Sequence, residues 1–140
     1  MIVLFGLSLI LGFITNQITD EVNQNQTAVE LYMHNYPVVS ILVLGIVGPI
    51  VEELTYRVGL FSFLRRLNRV AAYVVTILLF ALIHFSFDMD NIVVELVNLP
   101  SYLLAGAVLT VAYDFFGPIT SITAHVVYNI LSLLMVLWVK

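Results

Sequence analysis

The 140-residue chain has no cysteine, which excludes disulfides, thiolate nucleophiles and cysteine-based zinc sites. It is also poor in charge. Charged residues make up only 10% of the chain, against about 25% in an ordinary soluble domain. So few cannot clothe a surface that faces water. Five Lys and Arg are outnumbered by nine Asp and Glu, and the net charge of −4 offers no basic field to nucleic acid. What the chain has in excess is apolar surface: 61% of its residues are hydrophobic and the mean hydropathy is +1.07. This is the composition of an integral membrane protein.

The N-terminus, MIVLFGLSLILGFIT, lacks both a basic n-region and a small-x-small cleavage pattern. It reads as a first membrane helix rather than a signal peptide. With about 15 apolar residues it is short for a span, where about 20 is usual, as expected for the trimmed core of a longer protein. Five apolar stretches follow one another: 1–15, 37–64, 70–87, 100–116 and 119–139. Polar linkers at 16–36 and 88–98, the basic turn RRLNR at 65–69 and Gly117-Pro118 separate them. Pro37 suits the first turn of its helix, and Gly45, Gly48 and Pro49 are expected to bend or break that helix. Trp138 and Lys140 read as interface anchors. Lipid forces backbone polar groups to be satisfied within each segment, so the spans are helices. The predicted fold is an all-α polytopic bundle of about five spans with its site inside. Residues 1–36 form a first span and linker, and 37–140 form the core.

RRLNR holds three of the five cationic residues, which places it in the cytoplasm and the two acidic linkers outside. Ionisable side chains within a membrane cost roughly 2.5–3.5 kcal/mol each, so those present are candidates for function. They are Glu52, Glu53, Arg57, His84, Asp114 and His125. Asp114 lies at a span end and is expected to reach water. Residues four apart share a helix face, so Glu53 stacks over Arg57 as a structural ion pair. Glu52 is turned about 100° away from Glu53 and has no cation on its own helix. His125 projects together with Asn129, and Phe80 with His84. Glu52 precedes the RRLNR turn, and His84 follows it, by similar lengths of helix. Both therefore sit about 20 Å from that turn. In a core about 30 Å thick this lies nearer the opposite face, so either the site opens there or the orientation is reversed.

Each residue taken singly has a plainer reading. A lone membrane histidine is commonly a hydrogen-bonded packing residue, Phe80 is core, and His34 in its polar linker is a surface residue. The conjunction of an unpaired Glu, two His and an Asn on three helices points to a site.

EELTYR, FALIH and HVVYN fit E-E-x-x-x-R, F-x-x-x-H and H-x-x-x-N, in that order and on hydrophobic helices. Over about residues 38–135 the chain resembles the CPBP family of intramembrane proteases, also called Abi or CAAX protease-like. That family includes CAAX prenyl endopeptidases and bacterial proteins of bacteriocin processing or self-immunity. The family's motif often has Gly directly after the Arg, whereas here Val58 precedes Gly59. The resemblance implies that Glu52 is the general base and that His84 helps to activate the attacking water. It implies that His125 and Asn129 line the cavity and stabilise the oxyanion, with Glu53 and Arg57 in support. The substrate would be a peptide or protein at the lipid bilayer, and the location a bacterial cell membrane.

Two chemistries remain open. Zinc needs about three protein ligands and an open position, and Glu52, His84 and His125 would supply them. The base is then unassigned, because Glu53 is matched to Arg57. For the same reason no carboxylate remains to hold the second nitrogen of a metal-bound histidine. The residues therefore favour a metal-free site, with Glu52 and His84 polarising water directly. Two functions of other classes compete with the peptidase. One is a non-catalytic immunity or partner-binding protein that keeps the polar cluster. The other is a small proton-coupled carrier, which the lack of a repeat disfavours.

Overall fold

The computed structural model describes residues 2–19 and 21–138. Most of those residues are helical, with no strand among them. The helices are α1 (Ile2–Ile18), α2 (Gln24–Asn35), α3 (Pro37–Arg65), α4 (Arg69–Leu82), α5 (Ile92–Phe116) and α6 (Pro118–Trp138). Three of them, α3, α5 and α6, are long and apolar enough to cross a membrane. α1 has 17 residues and α4 has 14. At about 1.5 Å per residue α4 reaches only about 21 Å, less than the hydrocarbon thickness. The expected Lys140 anchor lies outside the described residues, and Trp138 is exposed.

The surface is apolar and much of the interior is polar. Along α3, Val39, Leu42, Val43, Val47, Val51 and Leu54 are exposed, whereas Glu53 and Arg57 are fully buried. In water this arrangement would fail. In lipid it is the stable one, because only polar groups need shelter from hydrocarbon. Phe80 and Leu109 form the apolar centre, with Tyr56, Ala105, Val108, Ala124 and Tyr128 packed around them. α5 lies against α4, α6 and α1, and α6 lies against α3.

Several boundaries differ from the sequence expectation. α3 neither breaks nor ends at Pro49. It widens into π turns over Ile41–Val47 and Leu54–Phe61, on either side of the α-helical Gly48–Glu53. A proline ring clashes with the carbonyl one turn back, and a wider turn makes room for it. The linker 16–36 contains α2, whose N-cap Asn23 accepts the Gln26 N–H at 2.8 Å. α4 stops at Leu82, five residues short of the predicted span end at 87, so His84 sits in the turn beyond it. There the chain tightens through His84 N–H to Ala81 O and Phe85 N–H to Leu82 O. α5 begins at Ile92 and carries Pro100 inside it rather than at its start. It ends at Gly117, whose φ of 85° is one that side-chain-bearing residues rarely adopt.

The basic turn is tied to the end of α5. Asp114 accepts from Arg69 at 2.7 Å and from Tyr73 at 2.7 Å, and it also pairs with Arg65. Its side chain is only 3% exposed, so it is sheltered by its partners rather than open to water as expected.

Candidate active site

α3 brings Glu53 and Arg57 onto one buried face. Glu53 Oε1 lies 2.9 Å from Arg57 Nη1 in an ion pair, and neither side chain has measurable exposure. Arg57 then reaches two further helices. Its guanidinium lies 4.2 Å from the centre of the Phe80 ring on α4, and NH2 donates to the Gly106 carbonyl on α5 at 3.2 Å. Gly106 fits there because a Cβ at that position would stand 3.2 Å from Phe80 Cδ1 and 3.4 Å from the Ile77 carbonyl.

α6 adds His125, whose Nδ1 lies 2.9 Å from Glu53 Oε1. A carboxylate already paired with arginine can only accept, so Nδ1 carries the hydrogen and donates. In the neutral ring Nε2 is then a bare acceptor. That nitrogen lies 3.7 Å from Glu52 Oε2, beyond hydrogen-bonding distance. Glu52 Oε2 is buried and has no hydrogen-bond partner in the protein. One carboxylate therefore orients the imidazole, and a second faces its other nitrogen with a free oxygen. Glu53 serves both Arg57 and His125, which overturns the expectation that Arg57 leaves no carboxylate for a histidine.

His84 is held separately. Its Nδ1 donates to the Phe80 carbonyl at 2.9 Å, and its ring stacks on Tyr102 with centroids 4.9 Å apart and planes 16° apart. Phe80 stands between the histidines, 5.1 Å from the His84 ring and 5.7 Å from the His125 ring. Asn129 Nδ2 donates to the Leu44 carbonyl at 3.0 Å. That carbonyl needs a donor: Gly48 N–H goes back to Val43 O, and the next residue in the π pattern is Pro49, which has no N–H.

His84, His125 and Asn129 line one cavity of about 210 Å³, together with Phe80, Tyr102 and Asn25. Glu52 is not among its lining residues, contrary to expectation, and joins the site at the far edge of His125. The reason is helical phase. Glu53 takes the inward direction, and its neighbour is turned aside, leaving the Glu52 side chain 25% exposed. Among the described residues no three His, Asp or Glu side chains gather closely enough to hold a metal ion. The Phe80 ring stands between His84 and the pair formed by His125 and Glu53.

Sequence reasoning missed Tyr102, Gly106 and the buried Glu95. Small residues four apart, Gly106 and Thr110, are a packing signature of membrane helices. Here Thr110 Oγ1 donates to the same Gly106 carbonyl at 2.7 Å. Glu95 is 1% exposed and accepts the backbone N–H of Gln24 at 2.8 Å and of Ser86 at 3.1 Å. It ties the start of α2 to the segment that follows His84. No spacing within one helix announces such a contact.

Fold and site together define an integral membrane protein with a polar Glu/His/Asn cluster enclosed by apolar helices. The chain belongs to the family described as type II CAAX prenyl endopeptidase Rce1-like, which matches residues 34–131. None of the curated proteins and none of the solved structures matches it.

Proposed function

We propose that this protein is an intramembrane endopeptidase. It would hydrolyse a peptide bond near the membrane surface through a water activated by Glu52, without a metal. In this reading 37–140 is the catalytic core, and α1 and α4 enter the membrane beside the three longer helices to give five spans. Membership of a CAAX endopeptidase family supports the reaction class. One observation carries the assignment of the base: the partnerless Glu52 oxygen faces His125 Nε2 across 3.7 Å, while Glu53 fixes the ring from behind.

The steps balance without an external reagent. Glu52 takes a proton from water, and the hydroxide attacks the scissile carbonyl carbon. Negative charge moves to the carbonyl oxygen, where the second hydrogen of Asn129 Nδ2 donates while the first holds Leu44 O. A preorganised donor of this kind is worth about 3–4 kcal/mol. The C–N bond then breaks, and Glu52 returns its proton to the leaving amine. His84 polarises the water from the α4 side of the cavity.

The test is cleavage of prenylated CAAX peptides and unprenylated controls by the purified protein in detergent. Glu52→Gln should lower turnover about 10²–10⁴-fold, the usual worth of a general base, with little loss of folded protein. Near-wild-type turnover in that variant would remove Glu52 from the role.

A further inference from the structure

We infer that Tyr102 is the positioning residue for His84, and that the segment ahead of the family-matched region holds Tyr102 in place. The inference rests on the proposed peptidase reading and extends its machinery beyond residues 34–131.

His84 lies past the end of α4, where no helical turn fixes its side chain. A single hydrogen bond from Nδ1 to the Phe80 carbonyl sets one edge of the ring but leaves it free to swing about that bond. The near-parallel Tyr102 ring, 4.9 Å away and tilted by 16°, removes this freedom. Stacking of this kind acts only if the tyrosine is itself fixed. Its hydroxyl accepts from Asn23 Nδ2 at 3.0 Å and from Asn25 Nδ2 at 3.1 Å, and it donates to Asn23 Oδ1 at 3.3 Å. Two acceptances and one donation use the full capacity of a phenol oxygen. Asn23 is 3% exposed and is anchored in turn as the N-cap of α2.

The chain of contacts runs from the α2 cap through Tyr102 to His84, and Asn25 and Tyr102 both line the cavity. Asn23 and Asn25 precede residue 34, where the family match starts. A segment outside that match thus completes one wall of the site. Tyr102 touches His84 rather than the reacting atoms, so its effect falls on turnover more than on substrate capture. A displacement of about 1 Å in a reacting group can cost about 100-fold in rate.

The experiment compares Tyr102→Leu, Tyr102→Phe and Asn25→Ala in the full chain. Peptide hydrolysis is measured alongside NMR of histidine-labelled protein, with the His84 signal assigned through His84→Gln. Tyr102→Leu should lower kcat by up to about 100-fold, leave KM near wild type and shift the His84 ring protons as the Tyr102 ring current is lost. Tyr102→Phe keeps the ring but frees it from Asn23 and Asn25, so its kcat and His84 signal should fall between those of wild type and Tyr102→Leu. Asn25→Ala should fall between wild type and the leucine variant. If Tyr102→Leu fails to fold, the phenylalanine and Asn25 variants carry the comparison. An unmoved His84 resonance in Tyr102→Leu, or a moved one with full kcat, overturns the inference. So does an unaltered His84 signal and kcat in both Tyr102→Phe and Asn25→Ala. If wild type cleaves nothing, the peptidase reading has failed, and the resonances alone decide whether Tyr102 holds His84.

Discussion

Replacing Glu53 by glutamine tests what the buried ion pair contributes. The side chains of Glu53 and Arg57 are both 0% exposed, and Arg57 has no other carboxylate within ion-pairing distance among the described residues. The amide of Glu53→Gln can still present an oxygen to His125 Nδ1, so the imidazole keeps an acceptor. What disappears is the negative charge beside a guanidinium sheltered by Phe80 and the Gly106 carbonyl. Removing one partner of a buried pair costs about 3–5 kcal/mol, because the remaining charge stays uncompensated. This is a large share of a typical total stability of about 5–15 kcal/mol. Removing both charges should be milder. Glu53→Leu with Arg57→Met replaces the pair by apolar groups, which is often close to neutral. It leaves His125 Nδ1 without an acceptor, at about 1–3 kcal/mol. The double variant should therefore be more stable than Glu53→Gln yet inactive, because His125 has lost its orientation. Equilibrium unfolding in detergent, paired with peptide hydrolysis, reads both quantities. A loss below about 1 kcal/mol in Glu53→Gln, or a double variant no more stable than the single, would refute the reasoning.

Three further outcomes concern two glycines and the metal. Gly106→Ala should cost about 1–3 kcal/mol and lower activity, because its Cβ would press on Phe80 Cδ1 and the Ile77 carbonyl. Gly12→Ala, whose Cβ meets nothing within 4 Å, should be neutral or gain about 0.4–1 kcal/mol, as thermal unfolding of the two variants can show. Purified protein should carry zinc well below one per chain and keep its activity in chelator. Elemental analysis showing one zinc per chain, lost with activity and restored with it, would reverse this.

Part of the candidate site's geometry was legible because its motifs are local. Glu53 and Arg57 stand one turn apart on a helix, and no tertiary knowledge is needed to pair them. His84 still faces Phe80 although α4 stops at Leu82, because the turn bond from His84 Nδ1 to the Phe80 carbonyl keeps the two rings together. The contact of His125 with Glu53 was not legible, since spacing along one helix says nothing about which carboxylate a neighbouring helix meets. The early start of α5 was hidden by composition. Asp88, Asp90 and Glu95 read as one acidic linker, yet Glu95 belongs to a helix and is buried by two backbone donors. Pro100 misled in the same way. Proline favours first turns, but here the packing of α5 against α4 and α1 carries the helix through it.

The placement of cost in this bundle bears on why the candidate base can stand unpartnered. An unpaired carboxylate in a membrane normally finds a cation or moves to water. Arg57 would be the natural cation for Glu52, but Glu53 holds it at 2.9 Å on the inward face of the same helix. Arg57 also gathers α4 through Phe80 and α5 through Gly106, while Glu53 gathers α6 through His125. Swinging Arg57 towards Glu52 would break its contacts with α4 and α5 and its pair with Glu53. The same pair that joins the helices thus keeps the Arg57 guanidinium away from Glu52. That carboxylate is left with a free oxygen and a fixed imidazole as its neighbour. A buried ion pair on one residue and an unpartnered carboxylate oxygen on the next are two results of a single step of about 100° along α3.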